Sequence, residues 1–137
     1  MSIESNKALV RRVFEEIYNQ GRYDVADELI APDYLSHHGT ESEIVGAEGV
    51  KRAARQQRAT FPDLHTTLDD LIAEGDKVVV RGRDRVTHVT EFMGYPPTGR
   101  TFDITWMQIV RLENSKLVES WWEMDMEPFR KHLSGEA

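Results

Sequence analysis

The chain contains no cysteine, which removes disulfide frameworks, thiolate nucleophiles and thiolate metal sites together. It also lacks any apolar run near the ~20 residues needed to cross a bilayer, so no spanning segment and no membrane partner are expected. Basic residues are in the minority, 17 against 24 acidic, for a formal charge of −7. That balance argues against a phosphate-backbone partner, and nucleic acid is not expected. The opening Met1-Ser2-Ile3-Glu4 lacks the basic-then-apolar pattern of a signal peptide. A cytoplasmic address is therefore expected. What is present is an ordinary globular balance, 39% hydrophobic and 30% charged over 137 residues. That length fits one domain spanning 1–137.

Hydrophobic spacing divides the chain into a helical half and a strand half. Leu9, Val10, Val13, Phe14, Ile17 and Tyr18 make one apolar stripe at helical period from about residue 2 to 20. Gly21 supplies a stop. A short second helix is expected from about Tyr23 to Ile30, ended by Pro32. Residues 33–46, with Tyr34, Ser36, His37 and His38, read as irregular. A third helix is expected from about Ala47 to Thr60, closed by Phe61-Pro62-Asp63. Its Lys51, Arg52, Arg55 and Arg58 read as one solvated helix side.

Beyond residue 63 the period is two. Strands are expected near 64–73, 77–92, 100–112 and 116–126, with turns at Gly75-Asp76 and Asn114-Ser115 and a loop over Gly94–Gly99. A short tail, helix or coil, follows Pro128. Helices first and antiparallel strands after make the fold α+β. Alternation puts Val78, Val80, Gly82, Asp84, Val86 and His88 on the inner side of one strand, with Arg81, Arg83 and Arg85 outside. Phe102, Ile104, Trp106, Gln108 and Val110 share a face of the next strand. Val118, Ser120, Trp122 and Met124 share one face of the last strand, and Leu117, Glu119, Trp121, Glu123 and Asp125 the other. Large aromatics with one or two polar groups are the lining either of a small-molecule pocket or of a dry core. Thr105, Met107 and Ile109 form an outer face too apolar for an open sheet, which a second copy of the chain would cover.

Two segments together resemble the SnoaL-like polyketide cyclases of the nuclear-transport-factor-2-like superfamily. One is Phe61-Pro62-Asp63, then Gly75-Asp76, then Thr87-His88 followed by Phe92-x-Gly94-x-Pro96-Pro97-Thr98-Gly99-Arg100. The other is Lys116-Leu117-Val118-Glu119-x-Trp121-x-x-x-Asp125. The resemblance runs from Ala8 to Asp125. It implies a cone-shaped, strongly curved antiparallel sheet on three N-terminal helices, a deep apolar cavity and usually a homodimer. It also implies cofactor-independent aldol closure, in which a carboxylate takes a proton from carbon beside a carbonyl and donors hold the enolate oxygen. Trp122 stands where those cyclases carry their catalytic aspartate, Gln108 where they carry a histidine, and Ser36 where they carry an asparagine. His88 and Asp125 match family residues. Against the ketosteroid isomerases of the same superfamily, Phe14 replaces a catalytic tyrosine and His38 a loop aspartate base.

These substitutions leave three ionisable candidates for proton transfer, His88, His38 and Asp84. His88 is either a base tuned by Asp84 or a histidine hydrogen-bonded within the core; four residues of strand separate the two by ~13 Å. His38 is either a second base beside Ser36 or a surface-loop residue. Phe14, Tyr18, Ser36, Trp106, Gln108 and Trp122 are the expected lining. His37, His38, His65 and His88 offer no two-His-one-carboxylate spacing, so no metal is expected. The expected function is cyclisation or isomerisation of a small, largely apolar carbonyl compound. The alternative is a non-catalytic small-molecule binder or dimerisation scaffold.

Overall fold

A computed structural model describes residues 2–136 of the protein. Its first helix, α1 (Ile3–Arg12), begins at a reciprocal cap: the Ser2 hydroxyl accepts the Ser5 N–H at 3.0 Å, and the Ser5 hydroxyl accepts the Ser2 N–H at 3.0 Å. The helix continues through a wider π-helical segment, Val13–Asn19. A 3-10 turn (Tyr23–Val25) and a single-turn α2 (Ala26–Leu29) follow, then β1 (Ile30–His38), β2 (Glu41–Ile44) and α3 (Gly46–Thr60). Four strands, β3 (His65–Glu74), β4 (Lys77–Thr87), β5 (Thr101–Glu113) and β6 (Lys116–Met124), lead to α4 (Met126–Ser134).

The six strands form one curved sheet in the order β2-β1-β6-β5-β4-β3. The residues expected to be irregular are mostly strand. Pro32 removes a helical donor, so the chain extends from Ile30 and finds backbone partners on both sides. β1 pairs antiparallel with β2 and parallel with β6, which makes the sheet mixed at that one junction. The second helix correspondingly stops at Leu29. At Asn114-Ser115 both residues have positive φ, 51° and 60°, the backbone of a tight β5–β6 hairpin turn.

Two strand expectations need correction. β4 ends at Thr87 rather than near residue 92, because the Pro96-Pro97 loop cannot continue the ladder. His88 makes the last bonds towards that loop, its N–H donating to the Arg100 carbonyl at 2.9 Å, and the Thr87 N–H donates to Asp63 Oδ1 at 3.0 Å. In β6 a bulge near its start lets Leu112 face Leu117 and Arg111 face Glu119. Val118 becomes the extra residue, so Leu117 belongs to the core and Val118 does not continue the Ser120 face.

Alternation along β4 is as the sequence indicates. Val78, Val80, Gly82, Val86 and His88 are buried. Arg81, Arg83 and Arg85 lie outside, each paired with a carboxylate of a neighbouring strand: Asp70, Asp69 and Asp103 respectively. The buried apolar residues form two clusters. The larger joins α1, the π-helical segment, α2 and α3 to the sheet through Val10, Ile17, Ile30, Val80 and Leu112. The smaller lies towards α4 and contains Phe61, Val86, Phe102, Phe129 and Leu133. This division into two clusters decides which inward-facing residues reach the cavity.

Candidate active site

Between α3, the π-helical segment and the concave side of the sheet lies a cavity of about 600 Å³. Its floor is built on β4 and β5. Gly82 pairs across the sheet with Trp106, and the indole lies over the glycine where any side chain would collide with it. In that position the Trp106 Nε1–H donates to Asp84 Oδ1 at 3.1 Å. Thr66, opposite Asp84 on β3, donates its hydroxyl to the same oxygen at 2.7 Å. Asp84 Oδ2 has no hydrogen bond among the described residues. Burial pushes the Asp84 carboxyl above its ordinary value, and the two donors oppose that shift.

The helical wall brings Phe14 and Tyr18. Their rings stack at 5.8 Å, and Phe14 stacks on Trp106 at 5.1 Å. The end of this segment is clamped onto the sheet beside Asp84. Asn19 accepts the Thr66 N–H at 2.7 Å and donates to the Thr66 carbonyl at 2.8 Å. The Tyr18 hydroxyl makes no hydrogen bond among the described residues and lines the cavity. Burial holds its pKa above the ordinary phenol value, and the charges of Tyr34 and Asp84 add to the effect. Tyr18 is therefore a neutral donor close to a carboxylate.

β1 and β6 supply the remaining wall. Tyr34, Ser36 and His38 alternate onto one side of β1 and line the cavity with Gln108 and Trp122. Tyr34 is buried, and its hydroxyl shares a short hydrogen bond with Ser120. Desolvation raises its pKa, against hydrogen bonds from Ser120 and Ser36. His38 is exposed at the rim, its ring edge-on to Trp122 at 4.0 Å, and desolvation lowers its pKa.

All six expected lining residues, with Asp84 and His38, thus meet around one cavity. His88 does not join them. It is completely buried against the loop that precedes β5, where Nδ1 accepts the Thr98 N–H at 3.3 Å and lies 3.1 Å from the Thr98 hydroxyl. Its Nε2 is buried without a partner among the described residues. Of the two readings of His88, the hydrogen-bonded core residue is the one seen. It lies on the same side of the chain as Asp84, but one residue beyond the end of β4. Tyr34, Thr66, Arg52, Gln56 and Glu43 also line the cavity and were not anticipated. Extending strand alternation back from Ser36 and His38 would have found Tyr34. Among the described residues, no group of three or more His, Asp or Glu side chains is placed to hold a metal ion. No helix among them is long and apolar enough to cross a membrane.

Comparison with known proteins agrees with this architecture. The curated nogalonic acid methyl ester cyclase of Streptomyces nogalater is 31% identical over 106 residues, covering 73% of this chain and 76% of that protein. A candidate polyketide cyclase of Acidithiobacillus ferrooxidans superposes over 100% of both chains with a TM-score of 0.87 at 26% identity. AclR of Streptomyces galilaeus, a candidate hydroxylase, covers 98% of this chain and 83% of its own with a TM-score of 0.84 at 25% identity. The SnoaL-like polyketide cyclase profile matches residues 8–133. With nearly the whole chain matched in sequence and in fold, the protein belongs to the SnoaL-like polyketide cyclase family.

Proposed function

We propose that the cavity is an active site in which Asp84 removes a proton from carbon beside a carbonyl of a small, largely apolar compound, without a cofactor. The observation that carries this reading is the state of Asp84. It is a carboxylate in an aromatic cavity, held through Oδ1 by Thr66 and Trp106, with Oδ2 left unbonded among the described residues. Its raised pKa makes the ionised form a stronger base than a solvated carboxylate. The C–H electron pair moves into a carbon–carbon double bond as the proton passes to Oδ2, and the carbonyl oxygen becomes an enolate. The Tyr18 O–H is the donor for that oxygen, being protonated and unbonded. The enolate carbon then attacks a second carbonyl of the same molecule, whose π pair moves to its oxygen and takes the proton back from Asp84, closing a ring; or the enolate takes that proton back at another carbon, giving an isomer. His38, neutral and at the rim, exchanges the proton with solvent.

The test is turnover of small carbonyl compounds by the wild type, Asp84→Asn and Tyr18→Phe. Loss of a general base costs ~100- to 10,000-fold in rate, so Asp84→Asn should fall in that range while remaining folded. Unchanged turnover would overturn the assignment. Binding of apolar ligands without any turnover would instead favour a non-catalytic binder, a reading supported by Trp122 standing where the cyclases carry their aspartate.

The same proposal includes a homodimer. Met107 and Ile109 on β5 and Ile72 on β3 are exposed at 52%, 40% and 63% on the outer side of the sheet. Ile72, Val79, Ile109 and Trp121 lie in register across four strands. A two-fold axis through this face would bury the row on both copies.

A further inference from the structure

The four basic residues of α3 look equivalent in sequence and have different surroundings in the fold. Lys51 Nζ is paired with Asp27 at 2.8 Å and Glu48 at 3.0 Å. The Arg55 guanidinium lies 4.9 Å over the Tyr23 ring. Arg58 donates to the main-chain carbonyls of Tyr18, Asn19, Pro62 and Leu64, fastening the end of the π-helical segment. Arg52 has no ion pair or hydrogen bond among the described residues, and it lines the cavity. Gln56, one turn further along the same helix face, lines it too, and no bond from its side-chain amide appears among the described residues. Glu43 is on the same rim, yet no ion pair joins it to Arg52 among the described residues.

An uncommitted guanidinium beside an amide, opposite aromatic walls, is a recognition element for a planar anion. Its fork of N–H donors matches the two oxygens of a carboxylate, whereas a neutral ester or ketone accepts only single, weaker hydrogen bonds. We infer that Arg52, assisted by Gln56, holds a free carboxylate of the ligand, so that the substrate class is an oxo acid rather than a neutral ketone or ester. The apolar body of that ligand lies against Phe14, Trp106 and Trp122, with its carbonyl towards Asp84 and Tyr18. Lys51, Arg55 and Arg58 cannot replace Arg52, since each is already occupied elsewhere. This rests on reading the cavity as the substrate site.

The probes are 4-oxo-4-phenylbutanoate and its methyl ester, which share an aromatic ketone and differ in the charge of the other end. Each is titrated calorimetrically into wild type, Arg52→Gln and Arg52→Lys. The wild type should bind the acid at least about tenfold more tightly than the ester, the scale of a charge-assisted hydrogen bond. Added salt should narrow the gap, because the pair lies at a solvated rim. Arg52→Gln should abolish the preference by weakening the acid much more than the ester, while Arg52→Lys should keep part of it. Equal binding of acid and ester by the wild type, or a preference that survives Arg52→Gln, would overturn the carboxylate assignment while leaving the cavity as a ligand site. Failure of both probes to bind would overturn the cavity reading, and the role of Arg52 with it.

Discussion

Gly82→Ala adds one methyl group and should disturb the site through Trp106. A Cβ at residue 82 would lie 2.5, 2.7 and 2.9 Å from three ring carbons of Trp106. Carbon atoms rest at about 3.5–4.0 Å, so the indole must retreat by about 1 Å. It cannot do so freely, because Phe14 stacks on it at 5.1 Å and Nε1 is tied to Asp84 at 3.1 Å. Overpacking of this kind costs about 1–3 kcal/mol, and loss of a hydrogen bond to a carboxylate adds about 1.5–3 kcal/mol where the bond breaks completely. Replacing glycine inside a strand returns roughly 0.5–1 kcal/mol. A net loss of about 2 kcal/mol corresponds to about 7 °C in Tm for a chain of this length. Urea titration with tryptophan fluorescence and near-ultraviolet circular dichroism would read both the stability and the ring's displacement. Trp106→Phe in the same background should recover part of the loss, since the smaller ring leaves room for the methyl. A Gly82→Ala protein as stable as wild type, with unchanged spectra, would refute the view that this glycine holds Trp106 against Asp84.

Asp84→Asn should raise Tm at neutral pH while removing turnover. The folded-state carboxyl sits above its unfolded value, so its stabilising contribution is full below about pH 4 and is lost as pH rises through the folded pKa. The Tm gap between the variant and wild type should therefore open with rising pH and close towards pH 4; a gap independent of pH in thermal melts would refute it. His88→Gln should lower stability by about 1–3 kcal/mol through its buried hydrogen bonds and leave turnover per folded molecule within a few-fold. A hundredfold loss of rate in a folded variant would return His88 to the mechanism. Light scattering at micromolar concentration should give a dimer for the wild type and a monomer for Ile109→Lys, which places a charge in the exposed apolar row. A wild-type monomer would refute the dimer.

Periodicity alone was enough for much of this molecule. The apolar stripe from Leu9 to Tyr18 and the strict alternation of β4 each allow one amphipathic solution, so helix and strand faces follow from local chemistry. Asp84 and the aromatic lining were legible for that reason. The strand β1 was not, because Ile30–His38 has exposed Pro32 and Asp33 at its start, breaks register with β6, and extends only because β2 and β6 flank it. The side exchange at Leu117 was hidden likewise, since a bulge is a property of two strands together. The separate roles of Arg52 and its three neighbours on α3 depend on partners far along the chain, such as Asp27 and the carbonyls of Tyr18 and Asn19. The clearest division is between Asp84 and His88. Local alternation places both on the inner face, but it carries no information on what packs against each end of the strand. The helices leave space over Asp84, whereas the loop through Thr98, Gly99 and Arg100 closes on His88. Tertiary packing therefore made one a cavity carboxylate and the other a core residue.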